Sequence, residues 1–216
     1  MRALAEFIMR GRVQAVVVAL IGSWFPLISP ATVALVSLRR GAQDGIQILI
    51  WAMLPAVVSL LASEFGPLMG LITIAGIIVT YLVSLMVRAS SSWAYALMAI
   101  VALSTLSALV LTLIVPSPAQ SLIDVLGAIV TQEAIAREPS NTEVLGFVAY
   151  VLAWTSLSSL LLGRWWQALL YNPGGFQAEF HSLQLKPPQA IICLLSAAYC
   201  LVVGGDYQVW GSLFAL

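Results

Sequence analysis

The sequence predicts an all-α protein, a polytopic transmembrane helical bundle with about seven crossings and the start of an eighth. Three observations carry that expectation. Hydrophobic residues make up 61% of the 216 residues and charged ones only 8%, whereas a soluble domain needs about a quarter charged residues to cover its surface. The apolar residues fall into runs close to the roughly 20 that a helix needs to cross a bilayer. The charges are also sided: Arg2, Arg10, Arg12, Arg39, Arg40, Arg88, Arg164 and Lys186 fall on one side of the zigzag of runs. Arg137 falls on the other, among Asp124, Glu133, Glu138 and Glu143. Cytoplasmic loops retain Lys and Arg, so the N-terminus is expected in the cytoplasm of a bacterium, with the chain in its inner membrane.

The first element is a proline-broken hairpin over residues 13–38. Val13 to Ile28 and the shorter Ala31 to Leu38 flank Ser29-Pro30, where proline disfavours helical geometry in the residue before it. Read as one helix, this stretch puts Arg39 and Arg40 outside and gives every later loop the wrong sign. Read as a hairpin, it puts both inside, but its second leg is short for a full span. Such a leg is tilted, sheltered by other helices or partly re-entrant, which is allowed where protein covers it. The run is too long for a signal-peptide core, so it is expected to be retained.

From there the pattern is regular. Ile46 to Ala62 runs outward, Glu64-Phe65-Gly66-Pro67 turns it, Leu68 to Val87 returns, and Trp93 to Val115 runs out again. Residues 120–141 place Leu122, Val125, Leu126, Ile129 and Val130 at spacings of three and four, the pattern of an amphipathic helix lying on the outer surface. Val144 to Leu162 comes back in. Residues 164–187 are expected to form an inner interfacial segment. In it Arg164, Trp165 and Trp166 are an anchor at headgroup depth, and Asn172-Pro173-Gly174-Gly175 is a turn with positive φ at one of the glycines. Phe176, Phe180 and Leu183 share one face there, opposite Gln177, Glu179 and His181. Ala190 to Val203 crosses outward, and Tyr207 begins an apolar run that stops at Leu216, so further residues are expected in the parent protein.

Catalytic chemistry has no footing. The sequence holds no HExxH pair, no GxSxG elbow and no P-loop. Its single histidine, His181, has no residue beside it to orient it as a base. No metal site and no cofactor are expected: Cys193 and Cys200 lie seven apart in one apolar run and read as small hydrophobes. With zero net charge and no basic stripe, nucleic acid has no electrostatic footprint here. Carboxylates and lysines are kept out of the runs, which argues against an autonomous ion-driven carrier.

Two sets of residues remain as candidates for binding. Trp51 and Trp154 fall inside runs, away from the interfacial Trp24, Trp93, Trp165 and Trp210, and Ser158 sits one turn from Trp154. A tryptophan at that depth packs, donates its ring N–H, or stacks on a flat ligand. Ala15 and Ala19, four apart in the first run, clear a groove into which another helix can pack closely.

Leu38-Arg39-Arg40-Gly41 after a broken first hairpin, together with the run Gly163-Arg164-Trp165-Trp166-Gln167-Ala168-Leu169-Leu170-Tyr171-Asn172-Pro173-Gly174-Gly175-Phe176, resembles the YybS-like family of bacterial membrane proteins. That resemblance covers nearly the whole chain and implies a domain of unknown function. The family is in turn distantly similar to the substrate-capturing S-components of energy-coupling-factor transporters, which use an alanine motif to meet a coupling subunit. The resemblance thus implies a non-enzymatic small-molecule capture or transport subunit, with the lipid bilayer, a partner membrane subunit or a second copy around it. The alternative is a structural or scaffolding protein that docks envelope or membrane partners through its outer amphipathic helix and its inner segment.

Overall fold

The computed structural model describes residues 1–62, 67–127, 139–181, 187–203, 205 and 208–214. Every regular element among them is helical. Helix α1 (Arg2–Arg10) is a short amphipathic piece that buries Ala5 and Ile8, and the extended backbone of Gly11 separates it from α2 (Arg12–Ile21). A single 3-10 turn over Gly22–Trp24 leads to α3 (Ile28–Arg40). The stretch expected as a hairpin over residues 13–38 is thus two short helices joined by a turn, with two differences from the sequence reading. Ile28 belongs to the second leg, and Pro30 lies in the first turn of α3 instead of ending α2. Proline is tolerated there because the first-turn N–H groups have no helical partner to lose.

α3 is the centre of the bundle. Ser29 through Leu38 are all buried, against α4 (Ala42–Ala62), α5 (Leu68–Ser90) and α8 (Asn141–Tyr171). A helix enclosed on every side carries no charge along its buried length, and two of its three hydroxyls are satisfied locally, the buried Ser29 Oγ having no hydrogen-bond partner. Thr32 Oγ1 and Ser37 Oγ donate to the carbonyls of Ile28 and Val33 at 2.8 and 2.7 Å. At its end Arg39 and Arg40 complement the dipole, and Gly41 takes φ 101° as the chain turns into α4. The short leg is thus the sheltered one.

Among the described residues, four helices are long and apolar enough to cross a membrane: α4, α5, α6 (Trp93–Ile114) and α8. Pro55 inside α4 leaves the Trp51 carbonyl without its helical donor. α7 (Pro118–Gly127) covers the first half of the expected outer amphipathic helix and packs on α8; residues 128–138 lie outside the described residues. α8 opens on a capping box, in which Ser140 Oγ accepts from the Glu143 N–H and Glu143 Oε2 accepts from the Ser140 N–H. It then runs 31 residues to Tyr171, past the Leu162 at which the return span was expected to end.

The turn at Asn172–Gly174 and the positive φ of Gly174, 87°, appear where the sequence places them, and α9 (Gly175–His181) follows. α10 (Pro187–Val203) and α11 (Gln208–Phe214) close the described chain. α11 docks on α8, with Trp210 Nε1 donating to the Thr142 carbonyl at 3.1 Å. α10 packs chiefly on α11 and leaves Leu194, Tyr199 and Val202 exposed on several sides.

Apolar burial cannot alone hold such helices together, since lipid tails are as apolar as leucine; close backbone approach and hydrogen bonds matter more. The approach is closest where glycine faces another helix. A Cβ on Gly163 would lie 3.0 Å from the Ala34 Cβ and 3.1 Å from the Ala31 carbonyl, so α8 and α3 meet nearly backbone to backbone.

Candidate functional site

The arginines expected on one side converge at one end of the bundle. Arg12 Nη2 pairs with Asp44 Oδ1 at 2.7 Å. Arg40 reaches the Met9 carbonyl at 2.6 Å, tying α3 to α1, and lies 3.9 Å from Asp44. The Arg39 guanidinium sits over the Tyr171 ring, 4.1 Å from its centroid, a cation–π contact. Arg88 Nη1 donates to the Leu38 carbonyl at 2.7 Å. Arg164 grips the Glu179 carboxylate with two nitrogens and donates to Gln167 Oε1 at 2.8 Å.

Glu179 was expected on the face of its segment opposite Phe176. It instead turns inward and also accepts from Trp93 Nε1 at 3.3 Å, joining α6, α8 and α9. Phe176 packs edge-on against Trp93 with ring centroids 6.5 Å apart, while the Phe180 side chain and Leu183 lie outside the described residues. These contacts frame a pocket of about 390 Å³. Leu38, Val87 and Trp93 form its apolar wall, and Arg88, Ser91, Arg164, Gln167 and Glu179 supply its polar groups.

A second cavity lies between α6 and α10. It is an apolar cleft of about 780 Å³, flanked by Leu97, Ile100 and Val101 on one side and Cys193, Ala197 and Leu201 on the other. Thr105 lines it, and its hydroxyl is buried with no hydrogen-bond partner. Ser29, Ser104 and Ser159 also have buried hydroxyls without a partner, but of these residues Thr105 alone lines one of the cavities described, and Thr32, Thr73, Thr80, Thr112 and Thr155 all donate to carbonyls three or four residues back. A depression of about 960 Å³ beside Tyr199 and Trp210 is larger but lies open on the surface of α10 and α11.

Several of the residues singled out from sequence sit elsewhere. Trp51 and Trp154 are 48% and 54% exposed, so their rings point out of the bundle and frame none of the three cavities described. Ser158 is half-buried and lines none of them either. Ala15 and Ala19 are fully buried against the protein's own core. The groove they clear is filled by α3 and α4 of the same chain and offers nothing to a partner. The anchor also needs correction: Arg164 and Trp165 are partly exposed, but Trp166 is fully buried beside Ala5, Ile8 and Ala15. It is core.

Both cavities escaped the sequence reading. Arg88 and Glu179 looked like ordinary loop charges, and a cleft left by incomplete packing has no periodicity to betray it. Comparison with family models, curated proteins and solved structures finds no match.

Proposed function

We propose that this chain is a non-enzymatic integral protein of the bacterial inner membrane, N-terminus cytoplasmic, that captures a lipid-soluble small molecule between α6 and α10. Any transport would depend on a partner subunit or a second copy, in the manner of an S-component. The observation that carries this reading is the unpartnered Thr105 hydroxyl in an otherwise apolar cleft. Thr105 lies twelve residues into α6, about 18 Å along its axis, near the middle of a bilayer. An apolar molecule with a single hydrogen-bonding group suits such a site, because pockets of this kind bind by apolar contact and orient by a few polar groups. The membrane setting is supported by the four long apolar helices, and the orientation by the gathered arginines.

The test is extraction of the purified protein and mass spectrometry of what leaves with it. Wild type should release one lipophilic compound enriched over the host membrane. Thr105→Val should retain about a tenth of it, one hydrogen bond being worth roughly 0.5–1.5 kcal/mol. Ala197→Trp, which fills the cleft, should retain none. Equal recovery from Ala197→Trp and wild type would remove the cleft from the proposal.

Scaffolding is the second reading, favoured by the outward rings of Trp51 and Trp154. It requires that photo-crosslinkers at those two positions give one discrete protein adduct in place of a smear of lipid adducts.

A further inference from the structure

The pocket at the arginine end is a different site from the α6–α10 cleft, and its chemistry is not apolar. From its inventory we infer that it binds the phosphodiester headgroup of an anionic membrane lipid. Two guanidinium groups and one carboxylate line it, Arg88, Arg164 and Glu179, so the lining carries one net positive charge. The Glu179 carboxylate is engaged by Arg164 and by the Trp93 N–H, so its charge is answered within the pocket. Arg88 is not answered: its one hydrogen bond goes to the neutral Leu38 carbonyl, and it makes no ion pair among the described residues.

The remaining groups are mostly donors. Arg88 keeps Nε–H and Nη2–H₂ after binding the Leu38 carbonyl. Gln167 spends its carbonyl oxygen on Arg164, which leaves its NH₂, and the Ser91 hydroxyl faces the same space. A donor-rich pocket with one surplus positive charge suits a monoanionic oxyanion, because hydrogen bonds between a guanidinium and an ionised acceptor are stronger than those to neutral groups. A phosphodiester has that charge.

The depth agrees. The pocket sits where α5 ends and α6 begins, at headgroup level for helices that cross the bilayer, and basic pockets between spans on the cytoplasmic side suit anionic headgroups. Ser91 is placed at this pocket by the end of α5. It is the only non-glycine residue with positive φ, 52°, among the described residues, and it takes that geometry as the left-handed cap that ends α5, its N–H donating to the Val87 carbonyl at 2.8 Å.

The full chain, placed in nanodiscs of phosphatidylcholine with a minor share of phosphatidylglycerol and then released gently, reports the headgroup by native mass spectrometry. Wild type should retain phosphatidylglycerol about tenfold above its share of the bilayer, as expected of one charge-assisted contact. Arg88→Gln should abolish the enrichment, and Arg10→Gln, which removes an equal charge from the same end but touches no pocket, should preserve it. Arg88 also ties α5 to α3, so Ser91→Gly is a second probe. It removes the hydroxyl while relieving the strained φ, and should cut enrichment about threefold with no loss of thermal stability. Equal losses in Arg10→Gln and Arg88→Gln would reduce the effect to general surface charge and overturn the site. Displacement of the lipid by millimolar inorganic phosphate would show a soluble phosphate site and overturn the lipid assignment. Failure here leaves the α6–α10 proposal standing, because the two sites share no residue.

Discussion

Trp166 shows how much turns on one residue's phase around a helix. Trp165 and Trp166 are adjacent beside an arginine, and a pair so placed reads naturally as an interfacial belt. Yet successive helical residues point about 100° apart, so at most one of them can lie at the centre of a given face. The buried residues of α8 in this region are Ser156, Ser159, Leu160, Gly163 and Trp166, spaced at three and four. That spacing was legible, and extending it one more step selects Trp166 over Trp165. The Trp166 Nε1–H has no hydrogen-bond partner although it is fully buried. An orphaned donor is a cost, while the ring is packing gained. Trp166→Phe should therefore stay within about 1 kcal/mol of wild type in denaturation followed by SDS titration, and Trp166→Ala should lose roughly 3 kcal/mol or more. An anchor held only by lipid headgroups would show neither the large loss nor the difference between the two.

At the scale of elements, what the sequence made legible was order and sidedness; what it concealed was tightness. The hairpin, the capping box at Ser140 and Glu143, and the turn at Gly174 all had local signals: a proline, an S-x-x-E spacing, a pair of glycines. The closeness of α3 to α8 had none, because Gly163 stands in a long run where a glycine is unremarkable until another helix is known to face it. The structure puts rigid partners around it, the Ala34 methyl, the Ala31 carbonyl and the Leu35 nitrogen, all within 3.2 Å of an added Cβ. Gly76 contrasts with it: its added Cβ would meet only the end of Leu152 at 3.4 Å and Thr155 Oγ1 at 4.0 Å. Gly163→Val should push α3 away from α8 and destabilise by roughly 1–3 kcal/mol, while Gly76→Ala should be neutral within about 0.5 kcal/mol. Thermal unfolding in one detergent measures both. Equal effects would mean that α3 is not held by close approach to α8.

For the whole molecule, the open issue is how far the first hairpin penetrates, and lengths decide it. Arg12 to Trp24 and α3 are each thirteen residues, about 20 Å at 1.5 Å per residue, against a hydrocarbon core of about 30 Å. Both legs begin or end at the arginine cluster, so with that cluster at headgroup level, as proposed above, their tip would stop about 10 Å short of the far surface. The tip has the composition for that position. Trp24 and Phe25 are 88% and 58% exposed, as rings in lipid would be, and Ser23 Oγ is satisfied locally by the Leu20 carbonyl at 2.7 Å, needing no water. A re-entrant hairpin also returns the chain to the side it left, so the sidedness of every later loop is the same whether the hairpin crosses twice or not at all. Loop charge is therefore blind to the hairpin's depth, and run lengths taken with loop signs suggested about seven crossings. In a chain with Cys193 and Cys200 replaced by alanine, an impermeant maleimide should reach Ser117→Cys from outside intact cells and Ser90→Cys only in inverted vesicles. Ser23→Cys should be reached from neither side. Labelling of Ser23→Cys from outside would restore two full crossings, and labelling of Ser90→Cys from outside would reverse the orientation and carry the headgroup pocket to the opposite leaflet.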